Sequence, residues 1–264
     1  MDPIDQMKAA AREAWSTFGP FESITGTAAP DLVRFAGIDS SMHVLDVGCG
    51  TGVVALTAAR TGARTTGADL SPVLLDRARE NAALANLDID FHEADVEALP
   101  FADGEFDAVI SQFGHMFGPR ADVTLSEMLR VLKPGSTIAF STWPPELYTG
   151  RMFTLLGKYL PAPPPGTDSP VAWGEPAIVR ERLSGAVDNV TFDRGCMRFP
   201  ALSPAHMRQF LESNVGPVTR AAQLVAEDPA KQTAFRTELE ALIGQYFGDN
   251  VVRQDFLVTR GTKR

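Results

Sequence analysis

The chain has 264 residues, 44% of them apolar, with 24 Lys and Arg against 33 Asp and Glu, a formal charge of −9. That length and apolar content suit one large α/β domain with an elaboration. The acidic balance argues against a grip on nucleic acid or on an anionic membrane, since both need Lys and Arg to neutralise phosphate.

No apolar run approaches the roughly 18 residues that span a bilayer, and Met1-Asp2-Pro3-Ile4-Asp5 lacks the basic start and apolar centre of a signal peptide. Cys49 and Cys196 cannot form a disulfide framework or a four-cysteine zinc site. A cytoplasmic protein is expected.

Residues 5–17 are Ala-rich and read as a helix, broken by Phe18-Gly19-Pro20-Phe21; a short helix over 29–36 follows. A regular alternation then begins: strand 43–47, helix 53–60, strand 64–70, and a helix opened by Ser71-Pro72 in the form of an N-cap with Pro at the first helical position. Strands at 89–94 and 106–112 come next. The helix over 122–132 carries Leu125, Met128, Leu129 and Leu132 on one face; Lys133-Pro134-Gly135 stops it before a strand over 136–143. Strands alternating with helices of this length predict right-handed crossovers and a parallel sheet. Beyond it, Leu160–Gly166 is too Pro-rich for a regular interior and reads as a stiff connector. Residues 176–185 read as helix and 189–199 as strand. Ser203-Pro204 starts another helix, 229–247 carries an apolar stripe, and 251–260 forms a last strand.

The chemistry concentrates at the ends of the early strands. Asp46-Val47-Gly48-Cys49-Gly50-Thr51-Gly52 joins the first strand to a helix, and its alternating glycines allow a sharp turn and close ligand approach. The spacing is G-x-G-x-G; Val53 stands where a dinucleotide fingerprint would need another glycine, which counts against an NAD-dependent oxidoreductase. Asp69 ends the second strand, where an acid can accept both ribose hydroxyls, and Asp95 ends the third, where it could read an adenine amino group. Taken singly, each admits a plain structural reading: a tight turn, a solvated carboxylate, a cap.

Together with Gly67-Ala68-Asp69-Leu70-Ser71-Pro72, Ala94–Asp103, Phe106-Asp107-Ala108-Val109 and Leu129–Gly135, this turn resembles the class I S-adenosylmethionine (SAM)-dependent methyltransferases. The order is most similar to the subgroup around the ubiquinone/menaquinone-biosynthesis C-methyltransferases. The resemblance covers roughly 30–145 and departs at Ser136, where a second glycine is usual. It implies a Rossmann-like, doubly wound, mostly parallel seven-stranded sheet with an antiparallel last strand and a helical cap insertion. It also implies that Asp46, Gly48, Cys49, Gly50 and Gly52 face the methionine part of SAM, with Asp46 near its ammonium group. Asp69 would take the ribose, Leu70 and Ser71 would lie beside the adenosine, and Asp95 with the Val96 amide would read adenine. Gln112 would lie beside the sulfonium.

The expected organisation is an N-terminal helical lid (1–36), a core (37–202 and 249–264) and a helical cap (203–248) over the acceptor site. Trp15, Phe18 and Phe21 are the lid's aromatic residues. Phe113, His115, Met116, Phe117 and Trp143 are the candidate acceptor contacts. His115 is the candidate base if the acceptor must lose a proton, with a plain pocket-lining role as the alternative. The four histidines, His43, His92, His115 and His206, are scattered and suggest no metal. Methyl transfer from SAM to a small apolar or aromatic metabolite, with S-adenosylhomocysteine (SAH) as product, is the leading expectation. A SAM-binding sensor without turnover stays open, as does a homodimer.

Overall fold

The computed structural model describes residues 2–264. The chain enters through helix α1 (Pro3–Trp15), a 3-10 segment at Ser16–Phe21, α2 (Glu22–Thr25) and α3 (Ala29–Ala36). The alternating region follows as β1 (His43–Val47), α4 (Val53–Ala59), β2 (Arg64–Asp69), α5 (Pro72–Ala85), β3 (Asp90–Glu93), β4 (Phe106–Gln112), α6 (Ala121–Val131) and β5 (Leu132–Thr142). The second half holds α7 (Tyr148–Leu156), α8 (Pro176–Leu183), β6 (Val187–Pro200), α9 (Pro204–Asn214), α10 (Gly216–Leu224), α11 (Pro229–Gly244), β7 (Phe247–Gly248) and β8 (Val251–Lys263).

The sheet runs β3-β2-β1-β4-β5-β8-β6, with β7 paired to β8. Pairs from β3 to β5 are parallel, while β8 runs antiparallel to both neighbours. The architecture is the expected Rossmann-like one, corrected from seven strands to eight by the two-residue β7. Strand order reverses between β1 and β4, and the C-terminal ends of these two strands diverge there into a crevice.

Local chemistry sets the element ends. Asp2, Ser203 and Asp228 cap α1, α9 and α11 through their side chains. Ser71 does not cap α5; instead its N–H donates to Asp69 Oδ1 at 2.9 Å. Strand β5 starts at Leu132, earlier than expected, because Leu132 pairs with Phe106 before a register shift across the Pro134-Gly135 kink. Helix α7, not anticipated from the sequence, carries Gly150 in its first turn. That glycine lets the helix sit on the Pro144 backbone, where a Cβ would come within 2.2 Å of the carbonyl oxygen.

Two apolar cores result. One lies about the sheet, with Leu45, Phe106, Ile110 and Phe140 fully buried. The other joins α7, α9, α10 and α11 to Phe21, around Tyr148, Met207, Phe235 and Leu239. Among the described residues, no helix is long and apolar enough to cross a membrane.

Candidate functional site

The crevice opens into a cavity of about 220 Å³ reaching from the β1–β3 ends to the second core. Its floor is the glycine turn. Gly50 has φ +54° and open space where a Cβ would stand, so any side chain there would enter the cavity. Gly48 serves differently: its α-carbon lies against Gly114, and a Cβ would come within 2.7 Å of the Gly114 α-carbon. Ser111 locks these loops together, donating to the Val47 carbonyl at 2.6 Å and accepting from the His115 N–H at 3.0 Å. Gly52 lies behind the floor, against Leu56, Ala78 and Phe91.

Three carboxylates face the cavity. Asp46 is 1% exposed; its Oδ2 accepts from the Ala55 N–H at 3.0 Å in the first turn of α4, where the helix dipole favours negative charge. Its Oδ1 has no partner. Burial, and then the neighbouring Asp69, push its carboxyl well above the usual range, against the Ala55 hydrogen bond. Asp69 accepts from the Gly50 N–H at 2.8 Å as well as from Ser71, so it fixes the turn whose ligand it would bind. Burial raises its carboxyl too, against those backbone bonds. Asp95 Oδ1 accepts from the Glu97 N–H at 2.9 Å, and Oδ2 from Lys8 Nζ at 2.6 Å. Cys49, Leu70 and Val96 complete this end of the wall, whereas Ser71 stands behind Asp69.

At the other end, Phe113 takes φ +64°, a strained conformation for a bulky side chain, and stacks on Trp143 with ring centroids 3.9 Å apart. Phe117 also lines the cavity, together with Met152, Met197 and Leu211. Gln112 Nε2 donates to the Thr25 carbonyl at 2.8 Å, and its Oε1 has no partner.

Two expected acceptor contacts are corrected. His115 is fully buried behind the cavity wall, between the Phe140 and Trp173 rings, and neither ring nitrogen has a hydrogen-bond partner. Burial, aided by Arg182, pushes its pKa down to about 3, so it is neutral at ordinary pH, and it does not line the cavity. Met116 is likewise a core residue.

The structure adds residues that sequence reasoning passed over. Lys8 and Ala11 line the cavity from the same face of α1 as Trp15, one of the expected lid aromatics, at a 3–4 spacing that was legible as a stripe. Tyr148 and Thr149, in the first turn of α7, and Gln254 of β8 line it from the second half. Both hydroxyls are buried without a partner. No local motif marked them, because they meet the cavity only through tertiary packing. Among the described residues, no cluster of His, Cys, Asp and Glu could hold a metal ion.

Residues 44–135 match a family described as a methyltransferase domain. The chain is 34% identical to an uncharacterized protein of Mycobacterium tuberculosis, over 98% of this chain and 97% of that one. It is 41% identical to the demethylmenaquinone methyltransferase of Thermus thermophilus, over 57% of this chain and 76% of that protein. A solved putative methyltransferase from Bacillus halodurans aligns with TM-score 0.60 at 18% identity, covering 89% of this chain and 98% of that one. The [4+2]-cyclase SpnF aligns with TM-score 0.51 at 22% identity, covering 88% and 79%. Likeness at such identities shows the fold alone.

Proposed function

Since the chain belongs to the class I SAM-dependent methyltransferases, with SAM as cofactor, we propose that it methylates a small, largely apolar or aromatic metabolite. The observation that carries this reading is one cavity with two chemically distinct ends. The charged side chains in its wall are Lys8, Asp46, Asp69 and Asp95, all on the α1 and β1–β3 side. The far side is built from Phe113, Trp143, Met152, Met197 and Leu211, with hydroxyl and amide groups as its polar atoms. A charged acceptor would be desolvated there without a counter-charge.

The residues present suit the cofactor. The partner-free Oδ1 of buried Asp46 calls for a cation, such as the ammonium of an amino-acid chain. The open volume over Gly50 leaves room for the atoms that follow. Asp69, already fixed by two backbone donors, retains lone pairs for ribose hydroxyls.

When bound, SAM supplies an activated methyl group on a sulfonium sulfur. The protein's part is alignment and exclusion of water. Phe113 and Trp143 hold an acceptor ring against the end of β4, where Gln112 is anchored on Thr25. Among the described residues no imidazole lines the cavity, so no histidine is assigned as a base. In this reading α1 with the 3-10 segment is the lid, and residues 203–248, joined by α7, cap the acceptor end.

The test is SAH release from purified protein given SAM and a panel of phenols, quinols, amines and carboxylates. Turnover with uncharged aromatic acceptors supports the reading, and turnover confined to charged ones overturns it. SAH binding with no turnover favours the sensor. A parallel titration with NAD checks the cofactor.

A further inference from the structure

Helix α1 has no buried residue, yet it covers the adenine end of the cavity with Lys8, Ala11 and Trp15. Lys8 is the polar centre of that contact. Its Nζ lies 2.6 Å from Asp95 Oδ2 and 2.6 Å from Glu97 Oε2, and its side chain is only 16% exposed. Glu97 is more deeply set, its side chain 1% exposed, and is satisfied independently by Arg120, whose backbone N–H, Nε and Nη2 all donate to it. Against burial, which acts the other way, Arg120 and Lys8 hold the Glu97 carboxyl below its ordinary value. Asp95 has no such second cation: besides Lys8, its partner is the Glu97 N–H. Without Lys8 the two carboxylates would stand two residues apart with a single guanidinium between them. A second polar tie of this helix to the sheet, Arg12 to Glu93, is about half exposed and correspondingly weak.

We propose that Lys8 is a positioning residue of the cofactor site: its paired contacts fix the Asp95 carboxylate at the adenine edge and latch α1 across the cavity, so that bound cofactor leaves only when this ion pair opens. The proposal rests on the SAM reading of the cavity. It lies outside residues 44–135, the part of the chain matched to the methyltransferase domain. Asp95 keeps unused lone pairs after binding Lys8 and the Glu97 N–H, so an adenine amino group can be added without displacing Lys8. An ion pair that must break for release makes release sensitive to ionic strength, because dissolved salt screens the re-forming charges.

The experiment measures SAH affinity by calorimetry and SAH dissociation by stopped-flow displacement with excess SAM. Wild type, Lys8→Met and Lys8→Arg are compared at low and high salt, with the melting temperature of each recorded. Loss of a charge-assisted pair of this burial should speed SAH dissociation about tenfold in Lys8→Met. Lys8→Arg should restore most of the slow release. Wild-type dissociation should accelerate with salt, and that salt dependence should flatten in Lys8→Met; a merely structural loss would not flatten it. SAH release that is equally slow and equally salt-dependent in Lys8→Met overturns the latch while leaving the SAM site intact. Wild-type protein that binds no SAH removes the cofactor reading and the latch together.

Discussion

Asp46 shows how burial and function oppose each other at a single side chain. Its carboxyl is pushed up, so around the raised value the folded protein holds a proton that the unfolded chain has already released. The stability from this group is therefore present below the unfolded value and lost as pH rises through the folded one. An ammonium group facing Oδ1 favours the ionised form, so ligand binding must release that proton. SAH affinity should rise with pH across this window, and binding heats in two buffers of different ionisation enthalpy should differ by the proton released. Asp46→Asn, which retains an acceptor for Ala55, should abolish both effects; a buffer difference that persists in this variant refutes the assignment. Tyr148 makes the complementary case. Its hydroxyl is buried without a partner, and burial raises the phenol pKa, which keeps it a donor. Tyr148→Phe removes a polar atom that the fold does not satisfy, so the ligand-free melting temperature should hold or rise. A fall equivalent to about 1 kcal/mol, the usual value of a made hydrogen bond, would show the hydroxyl to be satisfied within the fold.

Elements of the alternating region were legible because their signals are local: a short apolar strand, a glycine turn, a proline at a helix start. The carboxylates at strand ends were legible for the same reason, since a parallel sheet carries Asp46, Asp69 and Asp95 to one edge. Legibility failed where a residue serves a neighbour. Helix α7 carried no local signal, and it is Gly150 that permits it to sit on Pro144. His115 reads as a rim histidine, yet the short 3-10 turn after Phe113 carries it under the wall and against Trp173. Gly216 is another such position. It opens α10, and a Cβ there would come within 2.7 Å of the Ala14 Cβ in α1. Gly216→Leu should therefore wedge α1 away while leaving the sheet in place. Amide exchange within α1 should rise on the order of tenfold or more, with sheet amides little changed. Uniform loss of protection across the sheet would mean that α1 is an integral part of the fold and not a detachable cover.

At the scale of the whole molecule, the cavity wall is shared by the two apolar cores. Phe113 and Trp143 belong to the sheet core, while Tyr148, Met152 and Leu211 belong to the helical one. Ile24 and Phe153 pack against both. Much of the surface that the two cores turn to each other lines this cavity. A ligand that binds only when both cores are folded stabilises the native state by mass action, by about 2.7 kcal/mol at a free concentration 100 times its Kd. For a domain of this size each kcal/mol is worth roughly 2–4 °C, so SAH at that concentration should raise the melting temperature by ~5–10 °C. If SAH occupies the carboxylate end, as proposed, the shift should appear first in the transition of the sheet core. If an acceptor-end ligand bridges the cores, adding it should merge any separate melting of the helical core into one sharper transition. Calorimetric scans of the protein alone, with SAH, and with SAH plus an aromatic acceptor that supports turnover separate these effects. A helical core that melts at an unchanged temperature under all three conditions would place the acceptor outside this cavity.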